Sequence, residues 1–392
     1  MKKMVKLATV AVLSLSLIAG CGTTAKNNGA AAPSSGGEIK LGALVELTGG
    51  GAQYGKAGLN GAKLAIEQQN AKGGVLGKQI KLVEADNKTD PTESLAQATK
   101  LITQEKVAGI IGPMTSGQIR AIISLGAQNK IPLVTPSGTG ADLTVNNGTL
   151  NPYVFRACFI DDFQGQVGAS FALETLKAKK VALITDNSEP YSKGLGKSFE
   201  DGFTKGGGEI VAKENYVAKD KDFKAILGRV KAKNPDAIYV PGYYGEVGLI
   251  IKQAREAGIT APIFGGDGFN GDETTKIAGA NNMTNVYFSD HVATDDPALV
   301  EFTKQYKAKY NEDPTGFAAL GYDAATMMIK AIEAAGVADG DKIRVGLEGI
   351  KDLKGVSGVI TVDAKTHNPS KSAVVLTYKE GKWVFASRVN PK

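Results

Sequence analysis

Cysteine and histidine are almost absent from this chain, which has two of each among its 392 residues. His291 and His367 have no metal-ligand spacing to each other or to a cysteine, so the sequence predicts no metal site. No Gly-x-Ser-x-Gly segment is present, which removes the usual nucleophile elbow of serine hydrolases. We therefore expect a protein that is not an enzyme and that needs no cofactor.

A complete phosphate-binding loop is missing as well. Residues 194–198 read Gly-Leu-Gly-Lys-Ser, like the end of such a loop, but the glycine required five residues before Gly196 is Tyr191. The start of a solvated helix is the better interpretation of this segment.

The body of the chain has little excess of positive charge. The formal net charge is +6, and Lys2, Lys3 and Lys6 supply three of these charges, so the chain without residues 1–20 carries +3. A basic face for nucleic acid is therefore not predicted.

The N-terminus contains the pattern of an export signal. Three lysines precede an apolar run over residues 10–18 that is too short to span a membrane. The run leads into Ile18-Ala19-Gly20-Cys21, which resembles the lipobox of bacterial lipoproteins. We predict a signal peptide over residues 1–20, lipidation of Cys21, and a flexible tether over residues 21–37. The alternative is an ordinary signal peptide followed by a chance cysteine.

Lipidation has a consequence for the other cysteine. Once Cys21 is acylated, Cys158 is the remaining thiol, so no intramolecular disulfide is expected even in an oxidising compartment. We expect Cys158 to behave as a small buried hydrophobic residue.

From Glu38 onward, β-branched runs alternate with helical patterns, and this happens twice in the same order. In the first half, strands and helices are predicted over 39–45, 55–70, 79–84, 91–104, 107–111, 117–129 and 132–134. In the second half, they are predicted over 180–185, 192–204, 209–213, 222–232, 236–240, 246–257 and 262–264. Asp90, Pro91 and Glu93 are typical of a helix start. The simplest interpretation is an α/β fold with two doubly wound lobes; generic α/β alternation is the alternative.

In open α/β sheets, ligands bind beyond the carboxyl ends of the strands, so the loops that follow the strands are the candidate site. Three such loops occur at matching places in each half. They span residues 49–54, 112–116 and 135–139 in the first half, and 186–191, 241–244 and 265–268 in the second. The first set offers hydroxyl groups and glycine-rich backbone, and the second offers tyrosines and a carboxylate. This asymmetry suits a zwitterion held between two faces.

The chemistry of a zwitterion selects residues within these loops. A carboxylate requires N–H and O–H donors, which Ser116, Ser137 and Thr139 can supply. An ammonium requires an anion, and Asp267 is the candidate. The candidate rings that also carry a hydroxyl are Tyr54, Tyr191 and Tyr243. Each residue taken singly is more typical of a turn or a cap, so the prediction depends on their matched placement.

Several short motifs resemble the leucine/isoleucine/valine-binding proteins of bacterial ABC transporters. The motifs are Ala52-Gln53-Tyr54-Gly55, Asn70-Ala71-Lys72-Gly73-Gly74, Asp90-Pro91, Thr135-Pro136-Ser137 and Gly245-Glu246-Val247-Gly248. The likeness runs over nearly the whole chain from about Glu38. It implies a type I periplasmic binding protein fold, in which two lobes are joined by a three-segment hinge and close on a ligand.

The resemblance also implies roles for individual residues. Ser116, the main chain of Ser137, and Thr139 would hold an α-carboxylate and share in the ammonium site. Asp267 stands where the family carries an acid for the ammonium. The residues implied around the ligand are Tyr54, Tyr191, Tyr243 and Phe317.

The implied ligand is a free neutral aliphatic amino acid such as leucine, isoleucine, valine or alanine. No Arg or Lys stands in the six loops, which argues against an acidic amino acid. The implied partners are the permease and ATPase subunits of an ABC importer, and the protein would be a monomer. It would be extracytoplasmic, on the outer face of the membrane or in the periplasm, and would meet the membrane only through the lipid on Cys21.

Two positions depart from the family pattern. Family members often carry a disulfide between the positions that match Thr89 and Thr115, and both are threonine here. Their ammonium acid is usually glutamate, whereas Asp267 is one methylene shorter, which leaves the preferred ligand side chain open.

We expect lobe 1 to comprise residues 38–157 and 290–371, and lobe 2 to comprise 158–289 and 372–392. Two other functions remain. An amide- or urea-binding protein of the same superfamily has a ligand without an ammonium, so an acid at Asp267 would be idle. A ligand-sensing receptor domain would require a partner domain or a spanning helix, and the sequence contains neither.

Overall fold

A five-stranded sheet forms from the first part of the chain. The computed structural model describes residues 37–292 and 296–389. The strands and helices of this part are β1 (Ile39–Val45), α1 (Ala52–Ala71), β2 (Ile80–Asp86), α2 (Pro91–Thr103), β3 (Ile110–Ile111), α3 (Ser116–Gln128), β4 (Leu133–Thr135), β5 (Val145–Asn146), β6 (Thr149–Leu150) and β7 (Val154–Arg156). The sheet has the order β2-β1-β3-β4-β7, and all neighbouring strands are parallel.

A second, seven-stranded sheet repeats this strand order. Its first elements are α4 (Asp161–Ser170), β8 (Lys180–Asp186), α5 (Pro190–Lys205), β9 (Glu209–Tyr216), α6 (Lys224–Ala232), β10 (Ala237–Tyr239), α7 (Tyr244–Glu256), β11 (Ile263–Gly265), α8 (Asp272–Ala278) and β12 (Val286–Asp290). The parallel part runs β9-β8-β10-β11-β12, which matches the first sheet strand by strand. The predicted fold, α/β with two doubly wound lobes, is confirmed.

The last part of the chain serves both sheets. Its elements are α9 (Pro297–Tyr310), α10 (Gly316–Ala335), α11 (Gly340–Glu348), β13 (Leu353–Gly355), β14 (Gly358–Ile360), β15 (Ala373–Lys379) and β16 (Lys382–Val389). Helix α10 shares a hydrophobic core with β1 of the first sheet. Strands β15 and β16 join the second sheet as antiparallel strands beside β12.

The chain therefore crosses between the two sheets three times, after Arg156, after Asp290 and before Ala373. These crossings are the three segments expected of the hinge. The residue limits of the lobes, at 157, 289 and 371, stay a prediction. The described residues, 37–292 and 296–389, form one compact unit with its own hydrophobic cores.

Each element predicted in the two repeated halves is present, with shifted ends. The strand predicted over 107–111 is reduced to Ile110–Ile111, although Ala108 still donates to Lys40 O across the sheet at 2.9 Å. The predicted start of α2 is confirmed, because Asp90 Oδ1 accepts the Glu93 amide at 2.9 Å and Pro91 is the first helical residue. The pattern had not predicted β7, α4 or the elements after residue 264.

Helices α1 and α10 pack against each other backbone to backbone. A methyl group at Gly61 would lie 1.9 Å from the Ala318 carbonyl oxygen, and one at Gly321 would lie 2.0 Å from that of Gly58. Glycine is required at both positions because any side chain would separate the helices. This close packing joins α10 to the helix that begins beside the candidate site. No helix in the described part of the chain combines the length and apolarity needed to cross a bilayer.

Candidate functional site

A cavity lies at the carboxyl ends of the strands of both sheets. It is lined by all eight residues that the sequence predicted for the ligand site, namely Tyr54, Ser116, Ser137, Thr139, Tyr191, Tyr243, Asp267 and Phe317. Met114, Thr115 and Gly268 complete the lining. The convergence follows from topology, because parallel strands bring their carboxyl ends to one edge of each sheet.

On the lobe 1 side, a buried acid arranges the loop that precedes α3. Glu46 follows β1 directly, and its carboxylate accepts the Met114 amide at 3.0 Å, the Thr115 amide at 3.2 Å and the Thr115 hydroxyl at 2.7 Å. Burial raises the pKa of Glu46 above its ordinary value. Glu46 was not among the predicted site residues, although an acid placed immediately after a predicted strand was the signal that could have identified it.

This arrangement leaves the start of α3 without a side-chain cap. Thr115 is the N-cap residue, but its hydroxyl bonds Glu46 and Gln118 rather than the amides of the first turn. Those amides carry the positive end of the helix dipole and have no partner within the helix. Ser116, the first helical residue, lines the cavity at this end, which therefore suits an anion.

Two further hydroxyls tie the lobe 1 loops together. Ser137 donates to the Met114 carbonyl at 2.8 Å, and Ser116 Oγ accepts the Gly140 amide at 3.0 Å. The loops after β3 and β4 are thus fixed to each other at the cavity wall. The Ser137 hydroxyl is therefore engaged within the protein, and contact of its main chain with a ligand stays a prediction.

On the lobe 2 side, Asp267 is held by three side chains. Oδ1 accepts from the Tyr191 hydroxyl at 2.9 Å and from Gln164 Nε2 at 3.1 Å, and Oδ2 lies 3.1 Å from His291 Nε2. Asp267 is 3% exposed. Its two carboxylate oxygens therefore have three buried side-chain partners within the protein.

Gln164 in α4 and His291 after β12 were not among the predicted site residues. Neither lies in one of the six loops, and their link to Asp267 depends on contacts between distant parts of the chain. No local sequence pattern predicts that Gln164 or His291 contacts Asp267. The sequence analysis used His291 only to exclude a metal site, and the described residues contain no group of side chains that could hold a metal ion.

Two more acids near the site are buried. The backbone amide of Asp161, at the start of α4, donates to the Thr139 carbonyl at 2.9 Å, and burial raises the pKa of the Asp161 carboxyl to about 8. Burial likewise raises the pKa of Asp290 to about 8, although its oxygens accept from Asn270 Nδ2 at 2.6 Å and from the His291 amide at 2.7 Å. Asp161 and Asp290 are therefore buried carboxyl groups near Asp267, which is the one acid among the described residues that line the cavity.

Aromatic rings form the remaining walls. Tyr191 stacks on Tyr243 with ring centroids 5.1 Å apart, and Tyr54 contacts Phe317 at 4.5 Å and Tyr243 at 5.7 Å. Burial raises the pKa of Tyr54, Tyr191 and Tyr243 well above the ordinary value, so their hydroxyls stay protonated at neutral pH. The walls are apolar rings with neutral hydroxyls at their edges.

The two lobes touch around the cavity. Tyr54 donates to the Gly268 carbonyl at 2.6 Å and accepts the Tyr244 amide at 3.1 Å. The neighbouring Gln53 donates to the Asn270 carbonyl at 2.8 Å. The start of α1 in lobe 1 is thus bonded to the loops after β10 and β11 in lobe 2, which is a closed arrangement.

Thr89 and Thr115, at the two positions where the resemblance implied that related proteins often carry a disulfide, bond different parts of the protein. Thr89 Oγ1 accepts the Gly51 amide at 2.9 Å and donates to the Thr48 carbonyl at 2.9 Å, and Thr115 bonds Glu46. Each fixes a loop next to the cavity by hydrogen bonds. Cys158 is free and buried, as predicted, with Sγ 3.4 Å from the Gly138 carbonyl oxygen and a pKa raised by burial to about 12. Cys21 lies outside the described residues.

Known proteins share both the sequence and the fold of this chain. Residues 38–382 match the family described as periplasmic binding protein. The Leu/Ile/Val-binding protein BraC3 of Rhizobium johnstonii is 33% identical over 360 residues, which are 91% of this chain and 95% of that protein.

Two solved structures are similar over most of the chain. The first is the branched-chain amino acid transporter substrate binding protein LivJ of Streptococcus pneumoniae, in complex with isoleucine. It is 42% identical with a TM-score of 0.83, over 89% of this chain and 99% of that one. The second is the leucine binding protein LivK of Thermotoga maritima, which is 36% identical with a TM-score of 0.84, over 90% and 99%.

Proposed function

Because the chain belongs to the periplasmic binding protein family, we propose that it captures a neutral aliphatic amino acid outside the cell and delivers it to an ABC importer. The observation that carries the proposal is the cavity between the lobes. It has hydroxyls and a helix N-terminus on one side, a carboxylate on the other, and aromatic walls. These groups complement the carboxylate, the ammonium and the apolar side chain of one small zwitterion.

The proposed pose follows from the charges. The α-carboxylate would meet Ser116, the main chain of Ser137, and Thr139, next to the start of α3. The ammonium would meet Asp267. The described lining contains no Lys or Arg to receive a second carboxylate, so an acidic amino acid would be left with a buried, unpaired charge. The names of the similar proteins support branched-chain amino acids as the first ligands to test.

The compartment and partners belong to the same proposal. We infer that residues 1–20 are removed as a signal peptide, that Cys21 is lipidated, and that residues 22–37 tether the folded body to the membrane. The permease and ATPase subunits of the importer would be its partners, and it would act as a monomer. Lobe 1 would comprise residues 38–157 and 290–371, and lobe 2 the remainder from residue 158.

One observation favours a second candidate, an amide or urea as ligand. Asp267 already accepts from Tyr191 and Gln164 and pairs with His291, so its carboxylate does not need a cation to be satisfied. An acid at this position would therefore not be idle in an amide-binding protein. Leucine and urea must be tested side by side.

Calorimetry on the chain from residue 22 tests both candidates. Titrants are leucine, isoleucine, valine, alanine, glutamate and urea. We expect binding of aliphatic amino acids and none of glutamate or urea. The reverse result would overturn the proposal and establish the second candidate.

Asp267→Asn tests the pose. It preserves shape and removes the charge that would pair with the ammonium. Breaking a buried charge pair costs about 3–5 kcal/mol, and at the lower end this is about a hundredfold in affinity. The matched control is Asp323→Asn, which neutralises a buried carboxylate bonded to Ser357 and Val356 instead. Equal affinity in a folded Asp267→Asn protein would place the ammonium elsewhere.

A further inference from the structure

His291 joins the hinge to the ligand cavity. It follows β12 directly, at the second crossing between the sheets. Its Nε2 lies 3.1 Å from Asp267 Oδ2, and its ring stacks on Phe159 with centroids 3.7 Å apart. Phe159 belongs to the first crossing, between β7 and α4. One side chain thus contacts two hinge segments and the acid that faces the cavity.

The chemistry of the pair fixes which nitrogen carries the proton. Burial lowers the pKa of His291 below its ordinary value, so the imidazole is neutral at neutral pH. The oxygens of Asp267 accept from Tyr191 and Gln164, and we infer that Nε2 likewise holds a hydrogen that points at this carboxyl group. Nδ1 is then the bare nitrogen, and it has no partner among the described residues.

We propose that His291 is a positioning residue of the ligand site, which fixes Oδ2 of Asp267 through its Nε2–H and couples that orientation to the hinge through Phe159. Tyr191 and Gln164 both bond Oδ1, so His291 is the described side chain that holds the other oxygen. Without His291, the carboxylate of Asp267 can rotate about its χ2 torsion, so its oxygens are no longer held in one orientation toward the cavity. This inference rests on the proposed function, in which Asp267 receives the ligand ammonium.

The same contact links binding to pH. The charged and titratable groups that surround the imidazole are Asp267 with Tyr191, Asp290 beside it in the chain, Lys371 before β15, and Asp161, which acts on Asp267 from α4. Protonation of Nδ1 would place an imidazolium against Asp267, in competition with the ligand ammonium. Affinity should therefore decrease as pH falls through the pKa of His291, whereas the buried Asp161 and Asp290 titrate at higher pH.

The first test needs no ligand. Only two histidines are present, so nitrogen NMR can follow each ring. We expect His291 as the Nε2–H tautomer. His367 stacks on Phe155 and has an oxygen beside each ring nitrogen, the Val154 carbonyl at 3.0 Å from Nδ1 and a Glu348 carboxylate oxygen at 3.2 Å from Nε2, so it serves as the histidine that does not contact Asp267. Asp267→Asn should lower the pKa of His291 and leave that of His367 unchanged. If the pKa of His291 is the same in the wild type and in Asp267→Asn, the proposal is overturned.

The second test uses isoleucine affinity. His291→Gln keeps an N–H group near the place of Nε2, and His291→Leu removes it. We expect a loss of at least tenfold for His291→Leu and substantial rescue by His291→Gln. The acid-side decrease in affinity should vanish in His291→Gln, because the amide does not titrate. His367→Gln and His367→Leu are the matched controls, since that buried ring bonds Glu348 rather than Asp267, and they should bind like the wild type.

The outcomes separate the two proposals. A wild-type protein that binds no amino acid contradicts the proposed function. The NMR measurement needs no ligand, so it still tests the contact between His291 and Asp267. A wild-type protein that binds isoleucine, with His291→Gln and His291→Leu equal to it at every pH, contradicts the role of His291 alone. If His291→Leu does not fold, the pH profile of His291→Gln decides.

Discussion

Tyr54 and Gly268 are bonded across the cleft: the hydroxyl of the tyrosine, in the first helix of lobe 1, donates to the carbonyl of the glycine, in lobe 2, at 2.6 Å. The same hydroxyl accepts the Tyr244 amide at 3.1 Å. Both bonds exist only while the lobes are together. The closed state is therefore stabilised by contacts that do not involve a ligand.

Tyr54→Phe should weaken ligand binding by favouring the open state. Each hydrogen bond contributes about 0.5–1.5 kcal/mol, so losing both should lower isoleucine affinity by about tenfold. Calorimetry gives the affinity, and small-angle scattering of the liganded protein gives the shift toward a larger radius of gyration. Tyr310→Phe is the control, because its hydroxyl donates to the Asn60 carbonyl within lobe 1 at 2.9 Å. An unchanged affinity for Tyr54→Phe would contradict a stabilising role for the bond.

Asp161 should make the protein less stable as pH rises toward 8. Its pKa is raised from an ordinary 3.8 to about 8 in the fold, so the folded state holds a proton that the unfolded state has released. Stability from this group is fully present below about pH 4 and is lost as pH rises through about 8. Asp161→Asn should remove that part of the decline.

Melting temperatures of wild type and Asp161→Asn from pH 5 to 8.5 measure this difference. The control is Asp162→Asn, which changes the exposed neighbour. Parallel melting curves for wild type and Asp161→Asn across this range would show that Asp161 is ionised in the fold.

Gly61→Ala should destabilise the protein by about 3 kcal/mol or more. Its methyl group would lie 1.9 Å from the Ala318 carbonyl oxygen, so α1 and α10 would have to separate. Gly228→Ala is the matched control in the exposed part of α6, where a methyl group meets nothing within 4 Å. That change should stabilise by about 0.5–1 kcal/mol. Urea denaturation of both variants measures the two effects, and equal midpoints would contradict the close packing.

Cys21→Ala should release the protein from the membrane. The wild type should stay in the membrane fraction at high salt, because an acyl anchor is not displaced by ions. The variant should appear in the medium or the soluble periplasmic fraction. Cys158→Ala, the other cysteine, should fractionate like the wild type. A Cys21→Ala protein that remains with salt-washed membranes would contradict the lipoprotein proposal.

The site was predictable where it depends on topology. Tyr191 and Asp267 lie 76 positions apart, yet each follows a parallel strand, and that placement predicts a shared edge of the sheet. Glu46 was one residue beyond a correctly predicted strand and could have been included by the same rule. Gln164 and His291 could not, because their roles come from packing at the hinge, which no periodicity encodes.

The fold was predictable for a similar reason. The repeated alternation of strands and helices along the chain predicted two α/β lobes of like topology. It did not predict the order of the strands within each sheet, which depends on contacts between distant segments. The sequence shows that the loop after β11 carries the carboxylate of Asp267. It does not show that Tyr191, Gln164 and His291 contact that carboxylate in the folded protein.

The buried thiol of Cys158 has a practical consequence. Thiolates, not thiols, react with maleimides, and burial both shields Cys158 and raises its pKa to about 12, so little thiolate is present at pH 7. The chain from residue 22 can therefore carry new cysteines without first losing its own. Lys56 in α1 and Lys193 in α5 are exposed and belong to different lobes. With cysteines at these two positions, labelled with a donor and an acceptor dye, fluorescence energy transfer would report the distance between the two lobes.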